Sequence, residues 1–139
     1  MDYCNSVLYG APSSSIQMLQ RAQNNEARIV LQAPRRCHAR PLLRDLHWLP
    51  IQHRILYKVA VLTFKSRSSA TAPTYLSRHI KARVSERTLI YWTSRSQERT
   101  LRIEPFALWN SLPETIIRCD SLSIFKSKLK TYFFHKAFD

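Results

Sequence analysis

The sequence has very little glycine and few acidic residues. Gly10 is the single glycine in 139 residues, whereas phosphate-cradling loops and nucleophile elbows need several positions that only glycine can occupy. The nine Asp and Glu residues are scattered, and none of them form the closely spaced pair that holds two catalytic metal ions. These absences exclude a nucleotide-binding loop and leave polymerase or nuclease chemistry of the two-metal kind without support.

Cysteine is also sparse, and long apolar runs are missing. Cys4, Cys37 and Cys119 are odd in number and far apart, which argues against a disulfide framework and for a reducing compartment. No four ligands have the spacing of a zinc site. The N-terminus carries Asp2 and no apolar run, and no stretch approaches the ~20 apolar residues of a membrane helix. We therefore expect an intracellular chain with no cofactor, no metal and no membrane partner.

Basic residues dominate what is present. The chain has 22 Lys and Arg against 9 Asp and Glu, a formal net charge of +13, and no acid lies between Asp45 and Glu86. Such an excess predicts a polyanionic partner, above all nucleic acid, although solvation of a helical surface remains the alternative. The candidate phosphate-contacting residues fall in three groups: Arg35, Arg36, Arg40 and Arg44; Arg54, Lys58 and Lys65; and Lys126, Lys128 and Lys130.

Length and hydrophobic periodicity predict one mainly α-helical domain over residues 1–139, with about five to seven helices. Two β-prone strings could pair as a short hairpin near residues 87–103, across a turn that lacks glycine. The predicted helices cover residues 13–32, 40–46, 50–67 and 75–80, a short segment from Pro105 to Leu112, and a final segment that begins after Asp120 or Ser121.

The helix over 50–67 is the most apolar and is expected to be central, with Arg54, Lys58 and Lys65 sharing a narrow basic edge. That edge either faces a phosphate backbone or is simply the exposed side. In the first helix Ser13, Ser14 or Ser15 is the expected N-cap. A helical wheel gives that helix one broad apolar side, into which Glu26 falls, formed by Ile16, Met18, Leu19, Ala22, Ala27, Ile29 and Val30.

Most aromatic residues fall on apolar stripes, and we expect them to pack in the core. Trp109, Tyr132 and Phe133 belong to this group. Only Tyr91 and Trp92 are expected to compete for an exposed, base-stacking role.

Six ordered strings together resemble a known family. They are Asp2–Gly10 (DYCNSVLYG), Leu19–Asn24 (LQRAQN), Leu46–Ile51 (LHWLPI), Ala72–Leu76 (APTYL), Leu108–Pro113 (LWNSLP) and Ser121–Lys130 (SLSIFKSKLK). In this order they resemble the C-terminal, post-palm region of reverse transcriptases encoded by non-LTR (LINE-type) retrotransposons.

The resemblance implies a truncated, helical, thumb-like piece that helps to hold the RNA template and the nascent DNA. The polymerase acids of that family lie in the palm and have no counterpart here, so the implied role is noncatalytic and sequence-nonspecific binding of RNA, DNA or their hybrid. An upstream palm domain is the implied protein partner, no small-molecule substrate is expected, and both nucleus and cytoplasm fit the family. Two alternatives stay open: a helical module that binds an acidic protein, and a relic without autonomous function.

Overall fold

The computed structural model describes residues 5–68 and 108–139. Within these two ranges 74% of the residues are helical and none is in a strand, which confirms the mainly α-helical class. The predicted hairpin near residues 87–103, the predicted helix over 75–80, and both Tyr91 and Trp92 lie outside the described residues.

The four longer helices begin and end within about two residues of the predicted ones, which is the usual uncertainty of helix ends. The short helical segments over 5–8 and 114–117 were not predicted. One further helical turn covers residues 108–110, ahead of Pro113. The elements are a short 3₁₀ helix Asn5–Leu8, α1 Ser13–Val30, α2 Ala39–Asp45, α3 Ile51–Ser68, α4 Glu114–Ile117 and α5 Leu122–Phe138.

The main core lies between α3 and α5. The Phe64 ring stacks on Phe125 with centroids 4.2 Å apart, and Trp109 lies 5.8 Å from Phe125. At the other end His53 meets Phe133 edge to face at 5.9 Å. Because the start of α3 meets the end of α5, the two helices are antiparallel. Residues around most of the circumference of α3 are buried, which confirms that this helix is central.

A smaller core joins α1, α2 and the end of α5. Ala27, Leu42, Leu43 and Phe138 are its buried members, and Trp48 packs against them from the segment between α2 and α3. This second cluster fixes the position of the segment that leads into α3.

The buried face of α1 coincides only in part with the predicted apolar side, of which Ala27 is buried and Ile16, Leu19 and Ala22 are half-buried. Gln23 and Ala27 are buried, whereas Met18 and Ile29 are 71% and 75% exposed. Glu26 is exposed as well, so it does not lie in a packed face. A helical wheel considers hydrophobicity alone. It therefore does not predict that Gln23 is buried, because burial of this side chain depends on hydrogen-bond partners for its amide.

Those partners lie in the turn before α3. The Gln23 Nε2 donates a hydrogen bond to the Leu49 carbonyl oxygen at 2.9 Å, and the Gln20 Oε1 accepts one from the Ile51 N–H, also at 2.9 Å. The Ile51 N–H is a first-turn donor that has no partner within its own helix. The Gln20 Nε2 in turn donates to the Gln23 Oε1 at 3.0 Å, so the two glutamines act together as a side-chain cap of α3.

The predicted serine N-cap of α1 is wrong. Pro12 precedes the helix, and no side chain caps it. The Pro12 carbonyl instead accepts hydrogen bonds from the N–H groups of Ser15 and Ile16. Ser13 is already the first helical residue, so its hydroxyl is not in the capping position.

Two helices end in the same way, without glycine. After α1 the Ala33 N–H donates to the Arg28 carbonyl at 2.9 Å, and after α2 the Trp48 N–H donates to the Leu43 carbonyl at 2.8 Å. These are Schellman motifs, which place the intervening residue in the left-handed region. Gln32 and His47 occupy it, with φ of 50° and 54°, at a steric cost of about 1–2 kcal/mol for a residue with a Cβ.

The end of α1 gives a first prediction. Gln32→Gly removes that steric cost while adding backbone entropy to the unfolded chain, so we expect the free energy of unfolding to rise by about 0.5–1 kcal/mol. Urea unfolding followed by circular dichroism measures it. Gln17→Gly, at an exposed position inside α1, is the matched control and should lower the same quantity by about 1 kcal/mol. A loss of stability in Gln32→Gly contradicts the left-handed geometry at this residue.

The glutamine cap gives a second prediction. Gln23→Leu keeps the side-chain volume but leaves the Leu49 carbonyl without its donor, so the free energy of unfolding should fall by about 1–3 kcal/mol. Gln17→Leu makes the same substitution at an exposed site of the same helix and should change stability by less than about 0.5 kcal/mol. Equal effects of the two variants in urea unfolding contradict a structural role for the Gln23 amide.

Candidate nucleic-acid interface

Two of the three predicted basic groups meet at one groove. Lys58 of α3 and Lys130 of α5 both line it, together with Arg54. The antiparallel packing of α3 on α5 brings these residues together although they are distant in the sequence. We call the site the aromatic groove; it has a volume of about 370 Å³ and is lined by Asn5, His47, Trp48, Leu49, Arg54, Tyr57, Lys58 and Lys130.

Aromatic rings line this groove beside the cations. Trp48 and Tyr57 are both half-buried, and the Arg54 guanidinium lies 6.0 Å from the centre of the Trp48 ring, at the outer limit of a cation–π contact. The His47 ring stacks on Phe134 at 5.5 Å. Burial raises the pKa of Tyr57 above its ordinary value. The sequence patterns missed both Trp48 and Tyr57, because each lies in or next to an apolar string.

A second basic depression lies at the end of α1. It has a volume of about 470 Å³, and Arg28, Arg36 and Arg40 line it. The Arg28 Nε donates to the Cys37 carbonyl at 3.2 Å, and the Arg40 Nη2 donates to the Ala137 carbonyl at 3.2 Å. Each guanidinium carries five N–H donors, so these bonds hold the side chains in place and leave donors for a ligand.

Arg28 was not among the predicted site residues. Its side chain reaches this depression because the Schellman turn after α1 reverses the chain and lays residues 34–38 against the last turn of the helix. The sequence feature that could have identified Arg28 is its place as a basic residue in the last turn of a helix that ends before Pro34.

The remaining candidates are dispersed. Lys65 is exposed and does not line the groove, since it lies about two helical turns after Lys58 on the same side of α3. The groove therefore includes only the first two residues of the predicted basic edge of α3. Arg35 and Arg44 are exposed and line neither depression.

The three C-terminal lysines are divided between two sides of α5. The Lys128 Nζ donates to the Thr115 carbonyl at 3.3 Å, which directs this lysine toward α4. Lys126 is exposed one turn before Lys130 and shares its side of the helix. Only Lys130 reaches the aromatic groove.

Acidic side chains lie elsewhere in the part of the chain that the structure describes. Glu114 pairs with Arg118 at 3.1 Å on the exposed surface of α4, and Asp139 pairs with His135 at the end of α5. No described Asp or Glu lines the aromatic groove or the arginine-lined depression. The described lining residues of both sites thus include cations and no carboxylate, which is typical of an anion-binding surface.

Two other kinds of site are absent from residues 5–68 and 108–139. No group of three or more His, Cys, Asp or Glu residues there could hold a metal ion. No helix in these ranges combines the length and the apolar composition that crossing a bilayer requires.

His53 is a titratable group near the α3–α5 core. It is half-buried, and its Nδ1 has no hydrogen-bond partner among the described residues. Burial, and to a smaller extent the positive charge of Lys136, lowers the pKa of His53 below its ordinary value of 6.5. The neutral imidazole packs edge to face on Phe133, so its role in the folded protein is packing.

This environment gives a third prediction. Because folding lowers the pKa of His53, the unfolded chain binds the proton more readily, and the free energy of unfolding should fall as the pH drops from about 6.5 toward the lowered pKa. His53→Leu removes this proton linkage, so its stability should decline less than that of the unsubstituted protein over the same interval. Urea unfolding at a series of pH values between about 7.5 and 5 measures both slopes. Parallel slopes contradict the linkage.

Comparison of the chain with family models, with curated proteins and with solved structures finds no match. The likeness of six strings to non-LTR reverse transcriptases therefore stays a hypothesis.

Proposed function

We propose that this chain is a noncatalytic, helical nucleic-acid-binding unit, akin to the C-terminal region of a non-LTR retrotransposon reverse transcriptase. Its ligand is the phosphate backbone of RNA, of DNA or of their hybrid. The observation that carries the proposal is the meeting of Lys58 and Lys130 at one groove that no described carboxylate lines.

Phosphate is the expected contact because lysine is a point charge that neutralises an anion from many directions. Phosphate contacts position a protein on nucleic acid without reading its sequence. Each neutralised phosphate also releases a counterion, so binding should weaken steeply with salt. The protein should therefore bind nucleic acids of different base sequence with similar affinity.

The arginine-lined depression supplies a second contact region. Arg36 and Arg40, two of the predicted phosphate-contacting residues, lie there with Arg28. One guanidinium can donate two parallel hydrogen bonds to two oxygens of the same phosphate. Two separate cationic regions on one small unit favour a long polyanion over a single small anion.

Protein interaction is a second candidate function, and one observation favours it. The consecutive apolar residues Ile29, Val30 and Leu31 at the end of α1 are 75%, 56% and 39% exposed, and exposed apolar residues that lie together are typical of a contact surface. The upstream palm domain that the resemblance implies would be one such partner. The two functions use different surfaces and are compatible.

The salt dependence of binding gives a fourth prediction. We expect Lys58→Gln with Lys130→Gln to weaken binding to single-stranded RNA and to reduce the slope of log K against log salt by about 0.7 per lost contact, roughly 1.4 for both. Lys65→Gln with Lys128→Gln is the matched control, since it removes the same charge from the same two helices outside the groove. Fluorescence anisotropy titrations at several salt concentrations measure both.

Two outcomes contradict this proposal. If the two double variants lose the same amount of affinity for RNA, the aromatic groove is not the binding site. Binding then depends only on the overall positive charge of the protein. Absence of binding by the unsubstituted protein at physiological salt, with helical content confirmed by circular dichroism, removes nucleic-acid binding itself.

A further inference from the structure

The aromatic groove holds more than phosphate binding needs. Lysines on a polar surface are enough to bind a duplex backbone, whose bases stay stacked inside the helix. Here two half-buried aromatic side chains, Trp48 and Tyr57, line the groove together with the buried Leu49. A ligand that neutralises the lysines therefore also meets an apolar, aromatic wall.

The aromatic wall is held rigidly. The backbone N–H of Trp48 donates a hydrogen bond to the Leu43 carbonyl in the Schellman motif that ends α2. The carbonyl of the next residue, Leu49, accepts the hydrogen bond from Gln23. Tyr57 lies in the central helix α3. Because these side chains stand on a fixed backbone, a ligand does not have to order a loop before it binds.

The charge around this wall is one-sided. Lys58 and Lys130 line the groove from α3 and α5, and the neutral phenol of Tyr57 lies with them. Arg54 lies over the Trp48 ring, and arginine planes, like aromatic rings, stack on nucleic-acid bases. An apolar surface flanked by cations matches a ligand that is itself a flat ring flanked by phosphates.

We propose that the aromatic groove takes the base of one unpaired nucleotide, with Lys58 and Lys130 on the phosphates at either side of it. Its volume of about 370 Å³ falls in the range of roughly 300–1,000 Å³ that is usual for small-ligand sites. The inference rests on the proposed nucleic-acid binding and narrows its ligand to a single-stranded region, since a paired base cannot reach the groove without leaving its stack.

The test separates the base from the backbone. Fluorescence anisotropy compares the full chain binding a labelled uridine oligonucleotide of about 12 nucleotides, an abasic sugar–phosphate strand of equal length, and a blunt RNA duplex, all at one salt concentration. We expect the uridine strand to bind at least about fivefold more tightly than the abasic strand, the lower end of what stacking one base contributes.

Substitutions assign that difference to the groove. Trp48→Leu should lower the affinity for the uridine strand to that for the abasic strand, while the affinity for the abasic strand stays the same. Trp48→Phe, which retains a ring, should keep most of the preference. Tyr132→Leu is the matched control, because Tyr132 is a half-buried aromatic residue that does not line the groove.

Trp48 also packs against the smaller core, so each variant is first checked by urea unfolding. If Trp48→Leu fails to fold, Tyr57→Leu takes its place, with the same expected loss of base preference. Equal binding of uridine and abasic strands by the unsubstituted protein overturns the nucleotide groove but leaves backbone binding standing. Tighter binding of the duplex than of the uridine strand also overturns it, and binding of none of the three ligands overturns the proposed function as well.

Discussion

The hydrogen bond from the Gln23 amide to the Leu49 carbonyl is the constraint on which the arrangement of helices depends. It joins α1 to the turn between α2 and α3, and a buried carbonyl left without a donor is costly. Trp48 precedes this carbonyl, and Ile51, capped by Gln20, follows two residues after it. One polar contact between two segments therefore positions both the start of the central helix and one wall of the aromatic groove.

The α3–α5 core supplies the other wall. Phe64 and Phe125 stack at one end, and His53 and Phe133 meet at the other, so the helices are held together along their length. This packing places Lys58 and Lys130 in the same groove, where like charges repel each other without a described acid between them. A bound anion would relieve the repulsion between the two lysines. The aromatic core thus affects ligand binding because it holds these lysines close together.

Hydrophobic periodicity predicted the helices well because α1, α3 and α5 each carry enough regularly spaced apolar residues to be recognised alone. It identified only part of the buried face of α1. Gln23 is buried and Met18 is exposed, since burial of an amide depends on a carbonyl that lies far away in the sequence. The left-handed residues Gln32 and His47 escaped prediction for a related reason: with glycine nearly absent, the usual marker of such a helix end was missing.

The sequence by itself determined the helical class, the approximate helix boundaries, the centrality of α3 and the excess of positive charge, because these follow from composition and from contacts within a few residues. Only the tertiary structure decided which charges act together. It united Lys58 with Lys130, separated Lys128 and Lys65 from them, and added Arg28, Trp48 and Tyr57 to the two basic depressions. The physical reason is that a groove is formed by side chains from different helices, and their separation in space depends on packing rather than on spacing along the chain.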